Sequence, residues 1–189
     1  PWISDGTARG TRLITDINPG PAGSTAQFGV VVLNGLWFFV AYDGASTRIW
    51  SSDGTAAGTL AVSPDTRRVE RILGIHGGRI YYVATDVGSN RNNMWSTDGS
   101  FGNELLIQQL SDDGTGSVAC FFGSSGGLYY SATVVINEVA QSHLWFSTGG
   151  AVGPRKVIGT NGTTDIGGGL GSIRGNACGL TEFAGRVWF

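Results

Sequence analysis

Trp50-Ser51-Ser52-Asp53-Gly54-Thr55-Ala56-Ala57-Gly58-Thr59 decides the reading of this chain, because it comes back. Trp2-Ile3-Ser4-Asp5-Gly6-Thr7 precedes it, Trp95-Ser96-Thr97-Asp98-Gly99-Ser100 follows it, and Trp145-Phe146-Ser147-Thr148-Gly149-Gly150 is a fourth, degenerate copy. The tryptophans stand 48, 45 and 50 residues apart, and the first two copies share a second Gly-Thr at Gly10-Thr11 and Gly58-Thr59. A period of roughly 40 to 50 residues marks an array in which one supersecondary unit stacks on its neighbours. A second signal keeps step with it. Upstream of each later motif a turn ending in glycine leads into an aromatic pair, read as Trp37-Phe38, Tyr81-Tyr82, Tyr129-Tyr130 and Trp188-Phe189. The repeats therefore run at about 2–49, 50–94, 95–144 and 145–189 within one domain, 1–189.

Each unit reads as four short strands. Phe28 to Leu33 is an apolar run, and Asn34-Gly35 suits a two-residue hairpin turn because both residues tolerate positive φ. Leu36 to Tyr42 makes the second strand, a polar loop passes through Asp43-Gly44, Thr47 to Ser52 carries the tryptophan, and Thr59 to Val62 is the fourth strand. Three consecutive hairpins of this size give an antiparallel meander, the blade of a β-propeller. A lone blade leaves both faces bare, so neighbours must stack on it. The fold class expected is all-β, a β-propeller of about four blades or part of a larger one. Trp2, Trp50, Trp95 and Trp145 should hold superimposable, mostly buried positions as wedges between sheets.

Composition narrows the function. Charged residues are 14% of the chain, the net charge is −2, and Lys156 is the sole lysine beside eleven arginines. No basic patch stands out, so nucleic acid is not an expected partner. The longest apolar stretch, Gly29 to Phe39, is too short and interrupted to span a bilayer. The chain opens inside a motif, at Pro1-Trp2, and ends inside a strand, at Val187-Trp188-Phe189. Two arrangements fit: a segment of a longer propeller, or a four-blade ring closed by strands from both ends.

The Asp-Gly-Thr turns are expected to be structural, with the carboxylate accepting backbone hydrogen bonds and glycine taking positive φ. The competing reading is a cation site, but calcium needs several converging oxygens. His76 and His143 fall at different strand positions and lack the four-ligand convergence of a zinc site, so no metal and no cofactor is expected. Cys120 and Cys178 lie seven residues before Gly127 and Gly185, on the first strands of consecutive units. They are a candidate disulfide if their Cα atoms come within about 7 Å, the alternative being two buried thiols. Asn161-Gly162-Thr163 is a sequon, which matters only in a glycosylating host. Gly167 to Gly171 lacks the lysine and helix of a phosphate-binding loop. Glu70 and Glu182 are both on first strands, in different registers, and no nucleophile–base pairing is visible.

Trp-x-Ser-Asp-Gly-Thr-x-x-Gly-Thr resembles the repeat of the ELWxxDGT proteins, a group of secreted and cell-surface bacterial proteins expected to form β-propellers. The resemblance covers essentially the whole chain. Here Arg48-Ile49, Asn93-Met94 and His143-Leu144 replace the Glu-Leu before tryptophan, and the last copy has lost Asp-Gly-Thr. The turn is also similar to the Asp-box of sialidase-like propellers. The resemblance implies fold and export, and no ligand. The function expected is a non-enzymatic extracellular module that binds protein or glycan, or assembles with further copies or blades. The alternatives are a lectin with sites on the blades and, more remotely, a glycosidase, which would need a channel-facing pair of carboxylates.

Overall fold

In a computed structural model, residues 1–24, 29–150, 152–157 and 179–188 are described, and every regular element among them is a β-strand. β1 (Trp2–Ile3) pairs with β2 (Arg12–Leu13). A first complete meander follows: β3 (Val31–Leu33), β4 (Leu36–Tyr42), β5 (Thr47–Ser52) and β6 (Leu60–Ala61), each antiparallel to the next. The second is β7 (Arg67–His76), β8 (Arg79–Asp86), β9 (Asn92–Thr97) and β10 (Glu104–Ser111). The third is β11 (Ser117–Ser124), β12 (Gly127–Ile136), β13 (Val139–Ser147) and β14 (Arg155–Lys156). β15 (Thr181–Phe183) and β16 (Arg186–Trp188) form a last hairpin. A single parallel bridge, Ser111 to Val135, ties the second meander to the third.

Register makes the units comparable. Trp50 sits between Phe39 and Ala61, Trp95 between Tyr82 and Leu106, and Trp145 between Tyr130 and Lys156. The tryptophan thus holds one position on each third strand. Trp2 faces Leu13 on the fourth-strand side in the same way. Ile14 N–H donates to the Pro1 carbonyl at 2.9 Å, just as Val62 donates to Ile49 and Val157 to Leu144 at 2.8 Å. The β1–β2 pair therefore matches β5–β6 and β13–β14 in register.

Four details of the sequence reading change. The first is that Trp2 is 65% exposed and Trp50, Trp95 and Trp145 are half-buried, where all four were expected to be mostly buried. No second strand lies beside Trp2 among the described residues, and the other three pack at the margins of the clusters. The aromatic pair of the first meander is Phe38-Phe39, one residue later than expected, because Phe39 is the residue opposite Trp50. The β11–β12 turn is Ser125-Gly126, since Gly127 already pairs with Ser124. The first strand of the first meander begins at Val31, and Phe28 lies outside the described residues. The Asn34-Gly35 turn does take positive φ at both positions, 53° and 78°, as a type I′ hairpin requires.

The meanders stack face to face. One cluster joins Phe38, Val40 and Ile49 of the first to Ile72, Ile80 and Tyr82 of the second, with Trp95 against it. Another joins Tyr81, Val83 and Met94 of the second to Leu128 and Tyr130 of the third, with Trp145 against it. A third holds Ile17, Phe39 and Ala41, with Trp37 and Trp50. Each of these three tryptophans therefore packs on the side of the preceding unit. At the first strands the spacing is tight: a Cβ on Gly29 would stand 2.7 Å from the Ile72 carbonyl, and one on Gly74 2.9 Å from the Phe121 ring. Glycine is what admits such an approach.

Candidate functional site

The recurring turn is built from the same hydrogen bonds wherever the motif is complete. In the second copy, Asp53 Oδ1 accepts from Thr55 N–H at 2.8 Å and from the Thr55 hydroxyl at 2.7 Å. Thr55 Oγ1 accepts from Gly58 N–H at 3.0 Å, and the Thr59 hydroxyl donates to the Thr55 carbonyl at 2.6 Å. The first copy repeats this with Asp5, Thr7, Gly10 and Thr11. The second glycine is required, because a Cβ on Gly10 or Gly58 would run into the Asp5 or Asp53 carboxylate. In the third copy Asn103 takes over, donating from Nδ2 to Asp98 Oδ2. The sequence reading missed Asp113-Gly114-Thr115, between β10 and β11, which forms the same Asp–Thr contacts at 2.9 and 2.6 Å.

One bond is kept in all four copies, and it does not involve the aspartate. The residue before it accepts the glycine N–H: Ser4 from Gly6 at 3.0 Å, Ser52 from Gly54 at 3.1 Å, Thr97 from Gly99 at 3.0 Å and Ser147 from Gly149 at 3.1 Å. The signal for it was present, a hydroxyl at that place in every copy. Thr148 can thus stand where the other copies have aspartate without the turn being lost.

These bonds engage Oδ1 of Asp5, Asp53 and Asp113 and both oxygens of Asp98. Hydrogen bonds from the backbone and hydroxyl of Thr7 hold the Asp5 carboxyl below its ordinary range. The Thr55 hydroxyl and N–H do so for Asp53, the Ser100 N–H for Asp98, and the Thr115 hydroxyl and N–H for Asp113. Each is an ionised acceptor serving its own turn.

A cation accompanies each of the three packed tryptophans. Arg48 lies 5.9 Å from the Trp50 ring centroid, Arg67 3.5 Å from Trp95 and Lys156 5.8 Å from Trp145. Arg67 is the most elaborate of these, reaching Asp86 at 3.5 Å and Glu104 at 3.7 Å. It lies beside Tyr82, whose hydroxyl burial pushes well up from its ordinary pKa. This polar knot belongs to the second meander and is partly open to solvent, with side-chain exposures of 20% for Arg67 and 31% for Asp86, and its stacked guanidinium has the geometry of a cation–π strut.

The remaining candidates do not converge. Glu70 is the extra residue of a β-bulge in β7, and its carboxylate accepts from the Thr85 hydroxyl at 2.8 Å and Asn92 Nδ2 at 3.3 Å. Glu182, on β15, accepts from Ser125 N–H at 2.9 Å and from the Ser125 hydroxyl, which keeps its pKa low. Glu70 is thus bonded within the second meander, whereas Glu182 ties β15 to the β11–β12 turn. His76 ends β7 beside Gly123, whereas His143 accepts from Lys156 Nζ at 2.8 Å and stands edge-on to Trp145. Among the described residues no three His, Cys, Asp or Glu side chains are grouped to hold a metal. No helix there is long and apolar enough to cross a membrane.

Cys120 is 4% exposed on β11, and the described residues include no free cysteine. Cys178, the sequon at 161–163 and the glycine run at 167–171 lie outside the described residues. Because the turn glycine is Gly126, Cys120 precedes it by six residues, whereas Cys178 precedes Gly185 by seven. The two spacings from the turn glycine therefore differ by one residue. Comparison with family models, with curated proteins and with solved structures returned no match.

Proposed function

We propose that the chain is an arc of a β-propeller of the ELWxxDGT kind and works as a non-enzymatic, exported surface module that binds or assembles. The observation that carries this reading is how the polar groups are spent. The turn aspartates hold their own loops, Glu70 is tied to Thr85 within the second meander and Glu182 to Ser125 of the third, and Arg48 and Arg67 sit over tryptophans. An acid–base pair needs two titratable groups flanking one space, and these side chains are placed for scaffolding. The face-to-face stack, with glycines where first strands approach, supports the propeller.

The test is a broad panel of glycosides, esters and peptides, run beside a glycan array with the same protein. No turnover is expected. Activity abolished by Glu70→Gln or Glu182→Gln would overturn the reading in favour of a glycosidase. Array binding lost on replacing exposed aromatics such as Phe101 would favour a lectin.

A further inference from the structure

The recurring turn carries a chemical hazard that its hydrogen bonds answer. In an Asp-Gly or Asn-Gly pair the glycine nitrogen can attack the side-chain carbonyl carbon before it and close a succinimide ring, since glycine has no side chain to obstruct the approach. Closure needs a glycine N–H free to lose its proton, and a carboxyl or amide carbon free to turn toward it.

Five Asp-Gly pairs stand among the described residues, at Asp5, Asp43, Asp53, Asp98 and Asp113. In four of them the glycine N–H is donated to a hydroxyl: Gly6 to Ser4 at 3.0 Å, Gly54 to Ser52 at 3.1 Å, Gly99 to Thr97 at 3.0 Å and Gly114 to Ser111 at 2.9 Å. In all five the carboxylate is tied forward. Asp5, Asp53 and Asp113 hold the threonine two residues on, and Asp98 holds the Ser100 N–H at 2.9 Å. Asp43 accepts from the Ala45 and Ser46 N–H groups at 3.0 and 2.9 Å and from Arg48 at 3.2 Å. With their pKa values held low these carboxyls are ionised, and a carboxylate has no hydroxyl to lose as water.

Asn34-Gly35 has neither restraint. Asn34 is exposed, and its amide finds no partner among the described residues. The Gly35 N–H lies outside the Leu33–Leu36 pair that closes the hairpin, with no acceptor facing it among those residues, and the space around Gly35 is open. β3, which leads into the turn, has only three residues, and Val32 in it is 65% exposed. Such a hairpin tip opens at little cost. The amide is also uncharged, so it needs no protonation before attack.

We propose that Asn34-Gly35 is a site of spontaneous deamidation, and that the hydroxyl recurring in the Asp-Gly turns protects those pairs from the equivalent isomerisation. The Gly35 nitrogen gives its proton to solvent base and bonds to Asn34 Cγ. The Cγ–Nδ2 bond breaks, and Nδ2 takes a proton from solvent and leaves as ammonia. Water then opens the ring. Cleavage between the Gly35 nitrogen and Cγ leaves aspartate; cleavage between that nitrogen and the main-chain carbonyl carbon leaves isoaspartate, with the chain running through Cβ and Cγ. Either product adds one negative charge to the net −2. Isoaspartate also lengthens a two-residue turn whose flanks, Leu33 and Leu36, pack on the cluster joining the first and second meanders.

The experiment ages the protein in mildly alkaline buffer, natively and in guanidinium chloride. Peptide mapping with electron-transfer fragmentation follows each pair, separates Asn34 from Asn161-Gly162, and distinguishes isoaspartate from aspartate. Each pair is scored against its own rate in denaturant. Asn34 should convert to both products in the native protein with release of ammonia, while Asp5, Asp53 and Asp98 lag much further behind their denatured rates. Ser4→Ala, at an exposed position, should speed isomerisation at Asp5 by about 2- to 10-fold, the rate equivalent of one hydrogen bond, with Asp53 of the same chain unchanged. A native Asn34 held back as far as Asp53 overturns the deamidation site. An Asp5 indifferent to Ser4→Ala overturns the protective role of the hydroxyl.

Discussion

Trp2–Thr11 and Trp50–Thr59 are nearly one structure twice, with different fates. Their matching turn hydrogen bonds agree to about 0.1 Å: 2.9 against 2.8 Å for the threonine N–H, 2.8 against 2.7 Å for its hydroxyl, 2.7 against 2.8 Å for the closing Ser–Thr bond. Yet Trp2 is 65% exposed, whereas Trp50 is half-buried beside Phe39 and Ile17. Thr59 is buried and Thr11 is not. The turn is encoded locally and forms wherever its residues occur. The core is not local, since the same tryptophan is a wedge or a bare ring according to whether a second strand lies beside it. Stability in such an array is a sum of unit terms and neighbour terms, and this pair separates the two.

The largest expected effect tests that separation directly. Trp95→Ala should destabilise the protein by about 3–5 kcal/mol, the usual cost of emptying an aromatic core site. Trp2→Ala should change stability by no more than about 0.5 kcal/mol in the dissociated chain, as exposed positions do. Urea midpoints for both variants, at a concentration below any association, are the measurement. Equal costs would mean that the seam around Arg67 and Tyr82 contributes nothing beyond the local motif.

Next in size is the tether between the third meander and the C-terminal hairpin. A Cys120–Cys178 bridge would be worth about 2–4 kcal/mol, and non-reducing peptide mapping should find one linked peptide. Reduction should then lower the thermal midpoint, and Cys120→Ala should lower it equally. Two free thiols on alkylation would remove the tether, leaving β15–β16 held through Ser125–Glu182 alone among the contacts described.

Smaller, and cleaner in interpretation, is a glycine comparison. Gly99→Ala and Gly6→Ala both place a side chain at positive φ, 94° and 88°, which costs each about 1 kcal/mol. Only Gly99 also has Phe38 in the way, adding about 1–3 kcal/mol of overpacking. The difference between the two variants measures the neighbour term alone. It should vanish when Phe38 is shortened to Ala as well.

How much of this was legible beforehand depends on the range of the interaction. Leu36–Tyr42 and Thr47–Ser52 emerge as strands with the bounds read from the sequence, because hairpin chemistry and strand composition are written within a few residues of each other. The phase of the aromatic pair was not legible. Trp37, Phe38 and Phe39 are three aromatics in a row, and only the distance from the Asn34-Gly35 turn fixes which two are homologous to Tyr81-Tyr82. The doubled glycine at Gly126-Gly127 hid the turn position in the same way and carried the cysteine alignment with it. The Asn137-Glu138 turn that lengthens β12 and β13 has no strong turn dipeptide, although both residues adopt positive φ. Among the candidate residues, the role of the aspartates was foreseen in kind, but the hydroxyl before them was overlooked because a serine or threonine is too common to stand out.

Acid should weaken the turns. The folded-state pKa of Asp5, Asp53, Asp98 and Asp113 lies below the ordinary value. Their stabilisation is therefore complete above the unfolded pKa of about 3.9 and is lost as pH falls through the depressed folded values. The urea midpoint should decline below about pH 4. Replacing Asp5, Asp53 and Asp98 together with asparagine should flatten that decline and lower the plateau at neutral pH. An unchanged slope would mean that these turn aspartates are not the source of the acid sensitivity.

The smallest effect separates the hydroxyl from the aspartate. Ser147→Ala removes one neutral hydrogen bond, to Gly149 N–H, from a copy that already lacks Asp-Gly-Thr, and should cost about 0.5–1.5 kcal/mol. Ser52→Ala removes the equivalent bond to Gly54 and also the 2.8 Å contact with the buried Thr59 hydroxyl. The Thr59 hydroxyl keeps the Thr55 carbonyl as its acceptor but loses its second partner, so the cost should be greater by about 1 kcal/mol. If the hydroxyl were merely tolerated at this place, the two variants would cost the same and both would fall near zero. If instead Ser147→Ala proved as costly as Ser52→Ala, the degenerate copy would depend on its one remaining bond more heavily than the complete copies do. Hydrogen exchange at Gly54 and Gly149 amides, measured in the same variants, distinguishes these cases because each bond is read at its own donor.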